Sequence, residues 1–558
     1  MPRRTGNREM QTTRHDRHAD PLRLLFTASE IFPMAKTGGL ADVCGALPGA
    51  LARLGIDVRL LMPGYPQALE RIVAAHVVAD LGEVLPGAPV RVVSGWSPDS
   101  GLPVWLVDCP ALYHRPGTIY QDPEGHDWPD NALRFGLLCH VAACIGKDRA
   151  GLGWRPDVVH ANDWHTGLVP LLFEQGAPDR PRTVFTVHNA AFQGNLPLEE
   201  AARLNLPADL LGPDGIEFYG RLSFLKAGIR YADKVTTVST THARELLTPE
   251  FGFGMEGLFR DRGKDFVGIM NGIDAAVWNP ANDIHLSNCD STGEGLDKST
   301  CKARLQREAG LDVDPGAPLV VHVSRLTHQK MADLVLRHLS AIMHRHPRLQ
   351  FALHGQGERA LEEGFRALAH RYEGRLSVRI GYEESWAHLL HAGADILLHG
   401  SRFEPCGLTQ MYAMRYGTIP IVRRVGGLAD SVVDAGMRGD EKVEEATGFV
   451  FDEPSGEAME SALARCLDVY ETRPAIWSAL KTRAMDEDFS WALSARKFVR
   501  LYAELVPNAA PVAATRQIRT QVAGGDRRAA SSFGRRSPRQ GGIPAGHGGP
   551  AADSSRAV

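Results

Sequence analysis

The sequence has little that would anchor it, cross-link it or steer it by charge. Its first apolar run, Leu22–Phe26, follows a polar Arg/His-rich segment and is far shorter than a signal-peptide core or a membrane span. A cytoplasmic protein with no membrane partner is expected. Its 8 cysteines are scattered over 558 residues with no CxxC pair, which argues against a zinc site or a disulfide framework and fits a reducing compartment. The net charge of −4 gives no reason to expect nucleic acid as a partner. No Asp-x-Asp element stands where it would hold Mg²⁺, and no His/Cys cluster has metal spacing, so no metal is expected.

What is present is ordinary globular composition, 44% hydrophobic and 23% charged, in a chain too long for a single core. Short β-branched apolar runs alternate with amphipathic stretches, the signature of parallel sheets covered on both faces. The first half offers strands at Leu22–Ala28, Val58–Pro63, Val104–Asp108, Val158–Ala161, Thr183–His188, Lys234–Ser239 and Val267–Asn271, with helices at Asn131–Ile145 and Arg221–Tyr231. The second half offers Leu319–Ser324, Leu349–His354, Leu376–Gly381, Ile396–Ser401 and Thr418–Arg423. This is an α/β reading with two doubly wound, Rossmann-like domains, placed at 21–273 and 274–487. A helix in 488–508 is expected to cross back to the first domain. Residues 1–20 and the Gly/Ala/Ser/Arg-rich 509–558 read as tails unable to offset their own ordering entropy.

The chemistry gathers where strands give way to helices. Lys36 precedes the pair Gly38–Gly39, with Asp42 following, and the same Gly-Gly-Leu-Ala-Asp string returns at 426–430. Glycine at a helix start lets an anion approach free N–H groups at the positive end of the dipole. Arg325 and Lys330 follow another strand, and fixed cations there lower the barrier to departure of a diphosphate. Glu404 ends a buried strand, and the turn through Cys406, Gly407, Leu408 and Thr409 opens a helix whose first N–H groups are available to phosphate. His188 with Asn189, and Asp163, close two neighbouring strands of the first half. Two such edges facing each other make a cleft for a diphosphate.

In their order, the motifs KTGGLADVCGALP (36–48), PDVVHANDWHTGL (156–168), VFTVHNAAFQG (184–194), SFLKAGIRYAD (223–233), GMEGL (254–258), NGID (271–274), SRLTHQK (324–330), SRFEPCGLTQMYAMRYGT (401–418) and VRRVGGLAD (422–430) closely resemble the bacterial glycogen synthase and starch synthase family over about residues 22–505. The resemblance implies a GT-B fold and retaining transfer of glucose from ADP-glucose to the non-reducing end of an α-1,4-glucan such as glycogen, with no cofactor. By the same resemblance, Lys36 is the donor-phosphate lysine of the first domain, and Arg325 with Lys330 the diphosphate pair of the second. Glu404 contacts the glucose, Tyr382 lies beside the adenine, and His188 lies near the glucose 6-hydroxyl. Asn271 and Asp163 match further cleft residues.

Three positions depart from the family's commonest pattern: Asn162 where histidine is frequent, Met331 in place of a glycine, and Gly400 in place of a proline. None has a direct role in this assignment. Tyr412, eight residues after Glu404, removes the paired-glutamate signature of many other retaining GT-B enzymes. A retaining glucosyltransferase using UDP-glucose and a catalytically silent glucan-binding protein stand as alternatives. The silent reading predicts loss of a cleft cation, yet Lys36, Arg325 and Lys330 are all present.

Overall fold

The computed structural model of the chain describes residues 21–174, 179–289, 296–436 and 445–507. The expected tails at 1–20 and 509–558 lie outside these residues.

The first domain is built on a nine-stranded sheet. In chain order its strands are β1 (Arg23–Thr27), β2 (Asp57–Pro63), β3 (Val73–Leu85), β4 (Ala88–Trp96), β5 (Pro103–Asp108), β6 (Val158–Asn162) and β7 (Arg182–Val187). A small three-stranded sheet intervenes, of β8 (Asn195–Leu196), β9 (Glu217–Phe218) and β10 (Arg221–Ser223), before β11 (Lys234–Thr237) and β12 (Phe266–Gly268) complete the large one. The spatial order is β12-β11-β7-β6-β1-β2-β5-β4-β3. The central strands are largely apolar because helices cover both faces; Leu24, Leu25 and Phe26 are wholly buried.

Two details differ from the sequence reading. The sheet is not wholly parallel, since β3 and β4 form an antiparallel hairpin on its edge, turning through Pro86–Gly87 with Gly87 at φ +88°. β3 is mostly solvent-exposed and its pairing carries register shifts, so it lacks the buried apolar run that marks the inner strands. The helix expected over Arg221–Tyr231 begins at Phe224: Arg221–Ser223 pairs as β10, and the Ser223 hydroxyl accepts the Lys226 N–H to cap the helix.

The second domain has a six-stranded, all-parallel sheet of β13 (Leu319–Val323), β14 (Gln350–Gly355), β15 (Leu376–Ile380), β16 (Ile396–His399), β17 (Ile419–Arg423) and β18 (Phe449–Phe451), ordered β15-β14-β13-β16-β17-β18. Each sheet packs its own hydrophobic core, and Trp491, Ala495, Phe498, Leu501 and Tyr502 of the helix Trp491–Leu505 belong to the first core. That helix is pinned where Tyr502 Oη meets His160 Nδ1 at 2.8 Å. Among the described residues no helix is long and apolar enough to cross a membrane.

Strand order locates the crevices. In the first sheet the chain winds one way from β1 to β2 and the other way from β1 to β6, so the loops leaving β1 and β6 part company. In the second the same happens at β13 and β16. Ligands of open α/β sheets bind at such switch points, outside the carboxyl ends of the strands. The four loops leaving these strands carry Lys36, Asp163, Arg325 with Lys330, and Glu404.

Candidate active site

The loop after β1 is organised by a residue the sequence reading did not single out. Glu30, buried, accepts the Thr37 N–H at 2.5 Å and the Thr37 hydroxyl at 2.8 Å, fixing the turn that presents Lys36 and Gly38. Burial raises the Glu30 pKa, with the Thr37 bonds opposing it. Gly38 is extended (φ −159°) and a β-carbon there would meet nothing within 4 Å, while its N–H, like that of Thr37, meets the Glu30 carboxylate. A β-carbon on Gly39 would stand 4.0 Å from Leu408 Cδ1, which places this loop opposite the turn through Cys406–Thr409.

Lys36 spans that gap. Its ammonium is 2.8 Å from Asp42 and 3.8 Å from Glu384, and it donates to Tyr382 Oη at 3.1 Å. Burial works against the charge, but Asp42 and Glu384 outweigh it and hold the ammonium above its ordinary pKa. Tyr382 donates a short hydrogen bond to Glu384. Burial, then Glu384, pushes the Tyr382 phenol up to about 12. Glu384 is itself brought down to about 2, chiefly by His388. Behind this corner Trp278 is sandwiched between His388 and Tyr412, at 3.8 Å to each ring. The position eight residues after Glu404 is thus spent on stacking.

On the opposite wall, Glu404 is 5% exposed and forms a short ion pair with Lys330. The same carboxylate oxygen accepts the Ser401 hydroxyl at 2.8 Å and lies 3.5 Å from His399 Nε2. Burial opposes its ionisation, yet Lys330 and His399 keep the carboxyl well below the usual carboxylate range. Arg325 is exposed at the end of β13 and hydrogen-bonds a neutral partner, Gln329 Oε1, at 3.2 Å. Cys406 is buried, its thiol pushed up to about 12 by burial and facing the Asn271 N–H. Gly407 takes φ +72°, and Leu408 offers the helix Thr409–Arg415 no side-chain cap.

The second glycine pair behaves differently from the first. Gly426 donates to Glu245 Oε1 at 2.8 Å, so a carboxylate from the first domain already occupies this helix start. Asp430 in turn accepts the Thr241 N–H at 2.8 Å and the Thr241 hydroxyl at 2.6 Å, and Ser239 donates to Pro405 O at 2.6 Å. The repeated string therefore serves as an interdomain latch, where the sequence reading expected an open phosphate cradle.

His188, just beyond β7, is partly open to the cleft, and desolvation brings its pKa down to about 3. Its Nε2 lies 3.1 Å from Asn162 Oδ1. The Asn162 amide is oriented by donation to Thr27 O and His160 O, at 3.2 and 3.3 Å. Nε2 must then carry the proton, leaving Nδ1 as an acceptor. Asn162, one of the three departures from the family pattern, accordingly touches a candidate catalytic residue and sets its tautomer. Asn162→Asp should raise the His188 pKa, because a carboxylate at that distance favours imidazolium. The pH profile of kcat would then show an acid limb at higher pH than in the parent. The other two departures touch each other. Met331 is fully buried in the left-handed region (φ +55°), and its sulfur would lie 3.2 Å from a β-carbon on Gly400. The missing side chain at 400 makes room for the one gained at 331, directly beside Lys330.

Asp163 is also strained, at φ +62°, with its carboxylate accepting the Trp164 N–H at 2.8 Å. Burial pushes its pKa up to about 7, the Trp164 bond opposing and Glu30 assisting. Between the unfolded carboxyl range and about 7 the folded state therefore binds more protons than the unfolded one. Stability contributed by this group falls as pH rises through that window, by at most about 1.4 kcal/mol per pH unit. Denaturant titrations from pH 4.5 to 7.5 should show Asp163→Asn flattening that decline. Asn189, the remaining predicted cleft residue, closes a local turn, its side chain accepting the Ala191 N–H at 3.1 Å. Among the described residues no group of three or more His, Cys, Asp or Glu side chains is arranged to hold a metal ion.

The loops therefore carry cations from both domains, a held carboxylate and a neutral imidazole at the carboxyl ends of the two sheets, with Lys36 meeting Tyr382 and Gly39 facing Leu408 across the domains. Residues 23–261 match the family model described as starch synthase catalytic domain, and residues 306–479 match glycosyl transferases group 1. The chain is 62% identical over 483 residues to the glycogen synthase of Burkholderia thailandensis, covering 87% of this chain and 90% of that one. The chain belongs to the glycogen synthase family. A second family member, the glycogen synthase of Paramagnetospirillum magneticum, is 48% identical over 493 residues, 87% of this chain and 98% of its own. Among solved structures, the catalytic domain of starch synthase IV from Arabidopsis thaliana bound to ADP and acarbose superposes with a TM-score of 0.76 at 30% identity, covering 87% of this chain and 100% of that chain. The fold is GT-B, and the family's activity is that of a hexosyltransferase.

Proposed function

We propose that this glycogen synthase family member transfers glucose from ADP-glucose to the non-reducing end of an α-1,4-glucan, retaining the anomeric configuration and releasing ADP. The observation that carries the reading is the Lys36–Tyr382 hydrogen bond, which joins residues from the two facing domains at one corner of the cleft. A nucleotide sugar entering there would exchange this bond for contacts of its own, Lys36 taking a phosphate and Tyr382 lying against the base. ADP is bound in the starch synthase IV structure, which favours the adenine nucleotide as donor.

As the bond from anomeric carbon to phosphate lengthens, negative charge grows on the departing diphosphate. Arg325 and Lys330 stand at the end of β13 to stabilise it, and in a water-poor cleft such fixed charges act strongly. These cations supply the neutralisation, so the reading asks for no resident cofactor. Glu404 is tied to Lys330, Ser401 and His399, an arrangement suited to holding a sugar hydroxyl and poorly suited to a free nucleophile. We therefore favour same-face transfer, in which the leaving phosphate accepts the proton of the glucan hydroxyl. A trapped glucosyl ester on Glu404 would refute that step. The neutral His188 would hydrogen-bond the glucose. All 8 cysteines are free thiols, in keeping with a cytoplasmic setting.

The test is incorporation of labelled glucose into glycogen from ADP-glucose and UDP-glucose in parallel. At least about tenfold higher kcat/KM is expected with ADP-glucose, corresponding to about 1.4 kcal/mol of discrimination. Lys36→Ala should lower kcat/KM for the donor by about 10²-fold through lost charge stabilisation. No incorporation from either donor by the folded protein would overturn the reading.

A further inference from the structure

Three aromatic side chains, on the segment after His188, at the β9–β10 turn and before Gly254, have no part in the donor site. Phe192, four residues beyond His188, is 52% exposed, and Tyr219, at the turn between β9 and β10, is 82% exposed. Tyr219 has φ +48° and Phe253 has φ +53°, a backbone region costly for bulky residues, and strain of this kind gathers at functional sites. A polar tie holds the group together: Gln193 donates to Phe253 O at 2.9 Å and accepts from Asn195 at 3.0 Å. Gly254 takes φ +82°, which favours glycine, and a β-carbon there would be 3.4 Å from the Tyr219 ring and 3.2 Å from Phe218, so this segment lies close against those rings. Phe253 then reaches the second domain, its ring edge-on to Phe403 at 5.3 Å, one residue before Glu404.

We propose that Phe192, Tyr219 and Phe253 form a stacking platform for the incoming α-1,4-glucan, which it guides from solvent to the reacting end of the cleft. The inference deepens the glucosyl-transfer reading and rests on it. A glucose ring presents an apolar C–H face and a rim of hydroxyls. Aromatic faces accept the first, and the amides of Gln193 and Asn195 stand beside them for the second. The occupant follows from continuity with the site: the nucleotide corner lies at Lys36 and Tyr382, whereas this row ends at Phe403 and Glu404. Phe192 and Tyr219 leave their rings open to solvent, and Tyr219 does so from a left-handed backbone, which burial in the core does not explain.

The experiment measures initial rates with glycogen and with maltoheptaose for the parent, Phe192→Ala/Tyr219→Gly and Tyr219→Trp. Glycine removes the left-handed strain at 219, so the thermal midpoint of the double variant should not fall on that account. Expected is a rise of about tenfold or more in KM for both glucans, with KM for ADP-glucose within about twofold of the parent. Tyr219→Trp should stay within about twofold for both. A glucan KM that does not move in the folded double variant, or an equal rise in KM for ADP-glucose, overturns the platform. Should the parent incorporate no glucose at all, the failure belongs to the transfer reading. Electrophoresis through glycogen-containing gels then decides the platform separately, with retardation of the parent and its loss in the double variant expected. Equal migration of parent and double variant in that gel overturns it.

Discussion

Glu404→Ala is expected to lower kcat by about 10²–10³-fold, the scale of removing one preorganised charged group from a transition state. It should also destabilise the protein, for a reason independent of catalysis. The Lys330 side chain is only 12% exposed and that of Glu404 7%, so truncating Glu404 leaves an uncompensated cation in a largely buried position. Breaking one side of a buried pair costs about 3–5 kcal/mol, whereas removing both partners costs less. The single variant should therefore be less stable than Glu404→Ala/Lys330→Ala in urea titration, even though the double variant loses both catalytic charges. A single variant more stable than the double would show that the pair is not coupled as the geometry requires.

The second large effect is predicted at Gly426→Ala. A β-carbon at this position would lie 1.8 Å from Glu404 O, and the residue has φ +46°. Both the carbonyl and the helix start would have to move. The displacement would break the Gly427 N–H bond to Glu404 O, 3.1 Å, and the Gly426 N–H bond to Glu245. A loss of about 3 kcal/mol or more is expected from overpacking, left-handed strain and lost hydrogen bonds together. Because the shifted carbonyl belongs to Glu404, kcat should fall with stability. Thermal unfolding and glucose incorporation measured on the same preparation check both. Gly38→Ala is the control: the site has the same Gly-Gly string but open space around the β-carbon, and its backbone is extended, so stability should change little.

That contrast shows where reading from the chain stops. The two Gly-Gly-Leu-Ala-Asp strings are identical in sequence, and each follows a strand and opens a helix. Gly38 has open space about it and meets the nearby Glu30; Gly426 is packed against Glu404 O and meets Glu245, which is remote from it in the chain. No local pattern separates them, because the difference lies in what the first domain places opposite. Glu30 and Glu384 escaped notice for the same reason. A single glutamate after a strand, or at a helix start, carries no signal until the loop it braces or the lysine it meets is in view. The β3–β4 hairpin is not legible in the apolar pattern, because its exposed strand lacks an apolar run.

By itself the sequence determined the α/β class, the two-sheet architecture and the inner strands, since burial on both faces demands continuous apolar runs and these are local features. It also determined which residue types stand at the strand ends, and through the long ordered motifs it pointed to the family. Only the tertiary structure decided that Lys36 reaches Tyr382, that Asn162 sets the His188 proton, that Met331 fills the space left at Gly400, and that Glu404 is clamped by Lys330, Ser401 and His399. Apart from Ser401 and His399, which lie within five residues of Glu404, these are contacts between segments far apart in the chain. They arise from strand order and domain apposition, and their energies depend on distance and burial, quantities absent from a one-dimensional pattern.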